Sequence, residues 1–545
     1  KLKINFRQIY IVKQNFILII LTGILLSLGW PTYGSPLLLF IALVPLLDFV
    51  QQVRNSSLKN KNRTVFVYSY AAFLIWNIWT TWWIYNSSVF GAAFAILCNS
   101  SFYAILITLY HWSLKRFKPQ FLASVFLITA WISFEKFHLF WDFSWPWLNL
   151  GNAFSEYIYW IQWYEYTGVF GGSLWVLVIN FFFLHQYQTF KNHRSYSKLI
   201  KKSIPGLLGI ALPIVNSLII FMNYEEPKSF TEVVVIQPNI DPYEQKYTQT
   251  NEDFKSLLID LSIDHLATNT SYLITPETYF TEGSGFDIDT FENSEFNRSL
   301  KEFLLPHKQL NLIAGTQFYK IHRAKNEPTL TANKIHENFW ADFYNSAIQI
   351  APSQKVNIYH KSKLVVGVEN MPYKSFFKPL LGEFMLDLGG TVSSRATQKN
   401  RTVFTHSVEG SKIAPIICYE SIYGEFVTEY ARNGAQFFSI LTNDAWWGNT
   451  QGHKQLLSYA RLRAIENRRA IARSANTGIS TFIDAQGQID TSLDYEEQGA
   501  IKGLVGLNSK LTFYSKHGDY IARFSRFSCF LLLLFLFGDR FRKKL

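Results

Sequence analysis

Seven apolar runs crowd the first 225 residues, and they constrain the fold more than any other feature of the chain. They lie at Phe16–Pro31, Pro36–Val53, Thr64–Tyr85, Val89–Trp112, Phe121–Leu139, Thr167–His185 and Ile204–Met222. Each approaches the roughly 17–25 residues that an α-helix needs to cross the hydrocarbon core of a bilayer. An eighth, shorter run occupies Ile521–Phe537. Aromatic residues make up 17% of the 545, well above ordinary soluble usage, and they concentrate in this first part. A buried helical core could show similar runs, but seven in series with alternating charge between them read as a membrane bundle.

The connections carry that alternation. Lys1, Lys3, Arg7 and Lys13 precede the first run, and Arg54, Lys59, Lys61 and Arg63 join the second to the third. Lys115, Arg116 and Lys118 join the fourth to the fifth, and Lys191, Arg194, Lys198, Lys201 and Lys202 join the sixth to the seventh. Arg540, Arg542, Lys543 and Lys544 follow the last. The intervening connections, Tyr33–Ser35, Asn86–Ser88 and Trp141–Tyr166, contain no lysine or arginine. Basic loops stay in the cytoplasm. Both termini are therefore expected there, with an even number of spans and Asn223–Asp519 outside. The net charge of +12 is explained by these loops, so no nucleic-acid partner is expected. The basic start lacks a small-residue cleavage site after its apolar run and reads as a retained anchor, not a signal peptide.

The expected domains are a transmembrane region over 1–225, an extracytoplasmic α/β domain over 226–515, and a last helix with a basic tail over 516–545. In the second, strand-like runs are predicted at Glu232–Ile240, Tyr272–Pro276, Leu310–Phe318, Asn345–Ile350, Val356–Leu364, Lys412–Cys418, Gln436–Leu441, Ser480–Ile489 and Ala500–Leu507. Helical patterns at Asn251–Leu266 and His453–Ser474 fall between them. Strands alternating with helices imply parallel pairing with helices on the sheet faces.

Three of these strands end on a reactive side chain. Ile413–Ile422 reads I-A-P-I-I-C-Y-E-S-I and stops being apolar at Cys418. Leu273–Thr278 ends on Glu277. Ile358–Glu369 carries Lys361 and, eight residues later, Glu369. Taken singly, a cysteine is often a small buried hydrophobe, and the acid and lysine could be surface charges. Taken together they suit nucleophilic catalysis. A free thiol is only a few per cent thiolate at neutral pH, so it needs a base, which Glu277 can be, and a cation, which Lys361 can be. The other cysteines, Cys98 and Cys529, fall in apolar runs, so no disulfide framework is possible.

This acid–lysine–cysteine set resembles the nitrilase superfamily. With the membrane runs attached, the whole chain resembles the apolipoprotein N-acyltransferase family. The matching stretches are Q-P-N-I at Gln237–Ile240, T-P-E-T at Thr275–Thr278, A-G-T at Ala314–Thr316 and Y-N-S-A at Tyr344–Ala347. They continue with K-S-K-L-V at Lys361–Val365 leading to G-V-E at Gly367–Glu369, I-C-Y-E at Ile417–Glu420, N-D-A-W-W-G at Asn443–Gly448 and R-A-I-E-N-R-R at Arg463–Arg469. S-W-P-W-L-N-L-G at Ser144–Gly151 is similar to that family's W/F-P-W-x-x-x-G loop. The chain departs from the pattern at Val366–Val368, where Pro-Phe-Gly is common, and at Tyr247, where tryptophan is common.

The resemblance implies an αββα sandwich joined to an α-helical transmembrane bundle in a bacterial inner membrane, with the sandwich periplasmic. It implies Glu277 as general base, Lys361 as stabiliser of thiolate and oxyanion, and Cys418 as nucleophile. Glu369, Tyr419, Glu420 and Asn345 would support them, Glu369 by orienting Lys361 or the incoming amine. The implied reaction is ping-pong transfer of the sn-1 acyl chain of a phospholipid such as phosphatidylethanolamine to the α-amine of a diacylglyceryl-cysteine lipoprotein. No cofactor and no metal are expected. His360 and His453 stand alone and read as structural. A monomer is expected.

Lipid contacts are expected from Tyr247, from Phe376 and Phe377 in an apolar flap over Met371–Leu388, and from Trp446 and Trp447. The flap could equally be a core helix, and the two tryptophans could be core packing. Glu135, inside the fifth run, is costly unless paired, and Lys136 and Trp141–Asp142 lie near it in sequence. Two other functions stay open at this point: a membrane-tethered amidase acting on a soluble amide, and an inactive lipoprotein-binding scaffold.

Overall fold

A computed structural model of the chain describes residues 6–241, 248–374 and 394–542, with backbone only for 6–15 and 539–542. The chain forms two compact units. One holds the residues up to Trp82, Ala92–Met222 and Asp519 onward; the other holds Trp83–Gly91 and Asn223–Gly518.

Every predicted apolar run is helical in the first unit. Helices occupy Phe6–Leu28, Val44–Asn55, Lys61–Thr81, Val89–Leu114, Gln120–Phe137, Val169–His193, Tyr196–Met222 and Tyr520–Arg542. Among the described residues five segments are long and apolar enough to cross a membrane: Pro36–Asn55, Val89–Leu114, Val169–His193, Tyr196–Met222 and Tyr520–Gly538. Phe16–Leu28 is a shorter apolar helix. Lys61–Thr81 and Gln120–Phe137, expected as the third and fifth spans, do not qualify by themselves. They carry buried polar groups, Asn77, Thr80 and Thr81 on one and Thr129, Glu135 and Lys136 on the other. These groups bond inside the bundle. Asn99 Nδ2, for example, donates to Asn77 Oδ1 at 2.7 Å.

Glu135 and Lys136 both find partners beyond their own helix. Glu135 accepts from Trp131 Nε1 at 3.1 Å, from the Leu150 backbone N–H at 2.8 Å and from Ser173 Oγ at 2.6 Å. It thereby pins the tryptophan-rich loop to two helices. Gly151 of that loop lies so close to the next helix that a Cβ would stand 1.9 Å from the Val169 carbonyl oxygen. Lys136 pairs instead with Asp519 at 2.7 Å, both fully enclosed.

The second unit is an αββα sandwich. Its first sheet takes β1 (Phe230–Gln237), β2 (Thr270–Ile274), β3 (Phe286–Asp287), β4 (Asn311–Arg323), β5 (Asn333–His336), β6 (Phe339–Ile350) and β7 (Asn357–His360). Its second takes β8 (Phe404–Thr405), β9 (Lys412–Ile417), β10 (Phe437–Thr442), β11 (Ile471–Ala475), β12 (Thr481–Ile483) and β13 (Ile489–Ser492). The chain then returns to the first sheet with β14 (Gly499–Gly506), antiparallel to β1. The central strands are parallel, β1–β2–β4 in one sheet and β9–β10–β11 in the other. Parallel strands buried on both faces read as continuous apolar runs, and all six residues of β10 are buried.

The helices Asn251–Ser262 and Glu295–Leu304 cover the first sheet. Phe254, Leu258, Leu300 and Leu304 pack there with Val234, Leu273, Leu312 and Ile348. The inner faces meet through polar pins as well, such as Ser474 Oγ donating to the Ile236 carbonyl at 2.7 Å.

The predicted helix His453–Ser474 is two elements. The helix runs from Gln451 to Asn467, Arg468 turns left-handed at φ 50°, and the chain re-enters the sheet as β11. The stretch is dense in arginine. Arg473 is buried in the strand and neutralised by Asp444 at 2.8 Å. The predicted Ser480–Ile489 strand is a hairpin, β12 and β13, turning over Asp484–Gly487.

Replacing Lys136 with methionine removes the ammonium that lies 2.7 Å from the buried Asp519 carboxylate. The expected loss is about 3–5 kcal/mol, read as a lowered thermal midpoint in detergent. The pair Lys136→Met with Asp519→Leu should regain most of it.

Candidate active site

Three strand ends converge. β2 stops at Ile274, and Thr275–Pro276 carry the chain out to Glu277. The turn must pass very close to β4. A Cβ on Gly315 would stand 2.2 Å from the Pro276 carbonyl oxygen and 2.8 Å from Glu277 Cα, so only glycine fits without displacing the turn. Thr278, just after the acid, adopts φ 49°. β7 stops at His360, four residues earlier than its apolar run suggests, and the Lys361 backbone N–H bonds the Asn345 carbonyl at 2.8 Å. β9 stops at Ile417, and Cys418 takes φ 48°, a left-handed conformation uncommon for a residue with a side chain.

Lys361 is the hub of the cluster. Its Nζ lies 2.8 Å from Glu277 Oε1 and 2.8 Å from Glu369 Oε2. Asn345 Nδ2 donates to both carboxylates, at 2.8 Å each. The second Glu277 oxygen accepts from the Asn443 backbone N–H at 3.1 Å. Glu369 also accepts from the Val365 N–H at 2.9 Å, which folds the Lys361–Glu369 segment back on itself. Burial alone would lower the Lys361 pKa, but Glu277 and then Glu369 outweigh it and hold the ammonium above the ordinary lysine value. Glu369 is buried too, yet Lys361 and then Arg395 keep its carboxyl below the usual range.

Cys418 joins this group electrostatically. Burial first and the Glu277 charge second push its thiol up, while Lys361 and Thr442 pull it down, and the net effect is a raised pKa. The elbow is braced by Glu420. That carboxylate accepts from Tyr359 Oη at 2.6 Å, from the Ser362 N–H at 2.7 Å and from the Ile417 N–H at 2.9 Å. One buried acid thus ties the lysine-bearing segment to the cysteine-bearing one. Tyr419 is buried with its ring 5.5 Å from that of Tyr423.

Glu277, Lys361, Glu369, Asn345, Cys418, Tyr419 and Glu420 are therefore brought together. Trp446 and Trp447 are half-buried on a short turn, with Trp447 edge-on to Trp83 at 4.8 Å. Tyr247, Phe376 and Phe377 lie outside the described residues, as does the expected flap beyond Lys374. His360 bonds Ser346 at 2.7 Å and is depressed to about 4 by burial. His453 stacks on Tyr495 and is likewise depressed to about 4. Among the described residues no group of His, Cys, Asp and Glu side chains is arranged to hold a metal ion. Gly315, the Asn443 N–H, Tyr359, Ser362 and Arg395 were not singled out from sequence. Of these, Gly315, Ser362 and Asn443 fall inside the matched motifs.

An αββα sandwich with a buried acid–lysine–thiol cluster, attached to apolar helices, defines a membrane-bound protein of the carbon–nitrogen hydrolase class. The family model described as "Carbon-nitrogen hydrolase" matches residues 235–509, and that described as "Apolipoprotein N-acyltransferase N-terminal domain" matches residues 22–182. The apolipoprotein N-acyltransferase of Chlorobaculum tepidum is 30% identical over 528 residues, covering 94% of each chain. That of Geobacter metallireducens is 23% identical, covering 94% of this chain and 93% of its own. A solved Saccharomyces cerevisiae member of branch 10 of the nitrilase superfamily is 14% identical with a TM-score of 0.35, covering 52% of this chain and 92% of that one. The chain belongs to the apolipoprotein N-acyltransferase family, and with its apolar helices it is a bacterial membrane protein.

A raised thiol pKa means little resting thiolate at neutral pH. Alkylation of Cys418 by iodoacetamide should be slow at pH 7 and climb about tenfold per pH unit through the alkaline range. A rate already level at pH 7 would contradict the electrostatics described above.

Proposed function

We propose that this chain N-acylates lipoproteins through a thioester on Cys418, with Glu277 as general base and Lys361 as electrostatic stabiliser. The observation that carries the reading is the buried Lys361 held between Glu277 and Glu369 beside the Cys418 elbow. A cation there favours charge on sulfur and on a carbonyl oxygen, while the neighbouring carboxylate can accept a proton.

The first half-reaction uses these groups in order. Glu277 takes the thiol proton as Cys418 Sγ bonds to the sn-1 ester carbonyl carbon of a phosphatidylethanolamine-like donor. The carbonyl oxygen becomes an oxyanion facing Lys361 Nζ and the backbone N–H of Tyr419. Collapse breaks the ester C–O bond, Glu277 returns the proton to the glycerol oxygen, and a lysophospholipid leaves. In the second half, the α-amine of a diacylglyceryl-cysteine attacks the thioester. Such an amine has a pKa near 8, so a useful fraction is neutral at pH 7. Glu277 accepts its proton, the C–S bond breaks, and the thiolate is reprotonated. Glu369 keeps Lys361 in place throughout.

Both substrates are lipid-anchored, which suits a catalytic domain on the outer face of the membrane. The basic residues of alternate connections support cytoplasmic termini and a periplasmic sandwich.

Intact-protein mass spectrometry after incubation with phospholipid vesicles should find a fatty-acyl adduct on Cys418. Cys418→Ser should lose it, because an alcohol gives no comparable anion at neutral pH, and Glu277→Gln should fail to form it. Hydrolysis of simple amides without any adduct would favour the amidase reading instead. For topology, added protease should cut Asn223–Asp519 in spheroplasts and leave the termini intact; the reverse pattern would invert the orientation.

A further inference from the structure

One buried hydroxyl beside the cluster has no part in the scheme above. Thr442 closes β10, which runs parallel to β9 with Leu441 beside Ile417. The next position in each chain therefore sets Thr442 alongside Cys418. The Thr442 side chain is completely buried. Its Oγ1 has no hydrogen-bond partner of ordinary geometry among the described residues. Buried hydroxyls usually find one, and neighbouring hydroxyls of the same two sheets do. Ser439 Oγ donates to the Ala414 carbonyl at 2.9 Å, and Thr316 Oγ1 to the Phe280 carbonyl at 2.9 Å. Its place beside Cys418 lets it act as a donor that pulls the thiol pKa down.

We propose that Thr442 is a catalytic residue whose hydroxyl donates a hydrogen bond to Cys418 Sγ once the thiol has passed its proton to Glu277. A neutral thiol sulfur is a weak acceptor, so the hydroxyl gains little before reaction. A thiolate is a strong one. A donor that engages only when charge appears lowers the barrier without stabilising the ground state. Thr442 keeps its own proton throughout and only turns toward the sulfur. It would act beside Lys361, against the opposing charges of Glu277 and Glu369, which also face the thiol. The inference rests on Cys418 as the nucleophile.

Alkylation of Cys418 in the full-length, detergent-solubilised protein tests it without any lipid. The probe is iodoacetamide, followed from pH 7 to pH 10, with thermal melting as the check on folding. Thr442→Val, which keeps the shape, should slow alkylation about 10- to 100-fold at each pH, the usual range for a lost bond to a charged group. Thr442→Ala should slow it too, although it opens space and would speed a reaction limited only by access. Thr442→Ser, which restores the hydroxyl, should stay within about twofold of wild type on the same scale. A valine or alanine variant that reacts as fast as wild type overturns the proposal. So does a serine variant as slow as the valine one, which would mark a packing role. If the Thr442 dependence appears as expected but no acyl adduct ever forms on Cys418, the acyltransferase reading fails and this one stands.

Discussion

A lysine ammonium cannot stay charged in a protein interior unless anions surround it. The catalytic domain is arranged around that requirement. Lys361 is fully enclosed, and it is kept there by two carboxylates from two different segments, each also held by Asn345. Remove either acid and the balance of charge is broken; remove the lysine and two buried carboxylates face each other. The cluster is thus a single electrostatic object.

Placing that object depends on backbone more than on side chains. Parallel strands deliver their C-terminal ends to one edge of a sheet, and ligand chemistry in α/β folds gathers at such ends. Here one sheet contributes Glu277 and the other Cys418, while Lys361 follows a short antiparallel strand whose early end frees the residue to turn inward. Gly315 sets how near Glu277 can come. Glu420 sets how the cysteine elbow sits against the lysine segment.

Much of this was legible in sequence for a simple reason. An apolar run that stops at a lone polar residue marks both a strand end and a candidate site, as Glu277 and Cys418 do, whereas Lys361 lies within its expected strand and was legible by the motif around it. Glu369 was legible by its fixed distance from Lys361. What could not be read are contacts made by backbone groups, such as the Asn443 N–H, and by absences, such as the missing Cβ of Gly315. β11 was not foreseen because the expected helix ran through it to Ser474, and the pairing of its buried Arg473 with Asp444 is a contact between segments distant in sequence. The apolar runs were legible by hydropathy, Gln120–Phe137 included, but the bundle partners of its buried Glu135 and Lys136 were not.

The Lys136–Asp519 pair also bears on biogenesis. The partner lies 383 positions further along the chain. At ribosomal speeds of about 5–20 residues per second, that separation corresponds to roughly 20–80 seconds of synthesis. Throughout this interval the helix carrying Lys136 waits for the carboxylate it pairs with in the finished fold. The helix Tyr520–Arg542, entered at Asp519, therefore does more than anchor the chain: it brings the buried carboxylate that pairs with Lys136 on the Gln120–Phe137 helix.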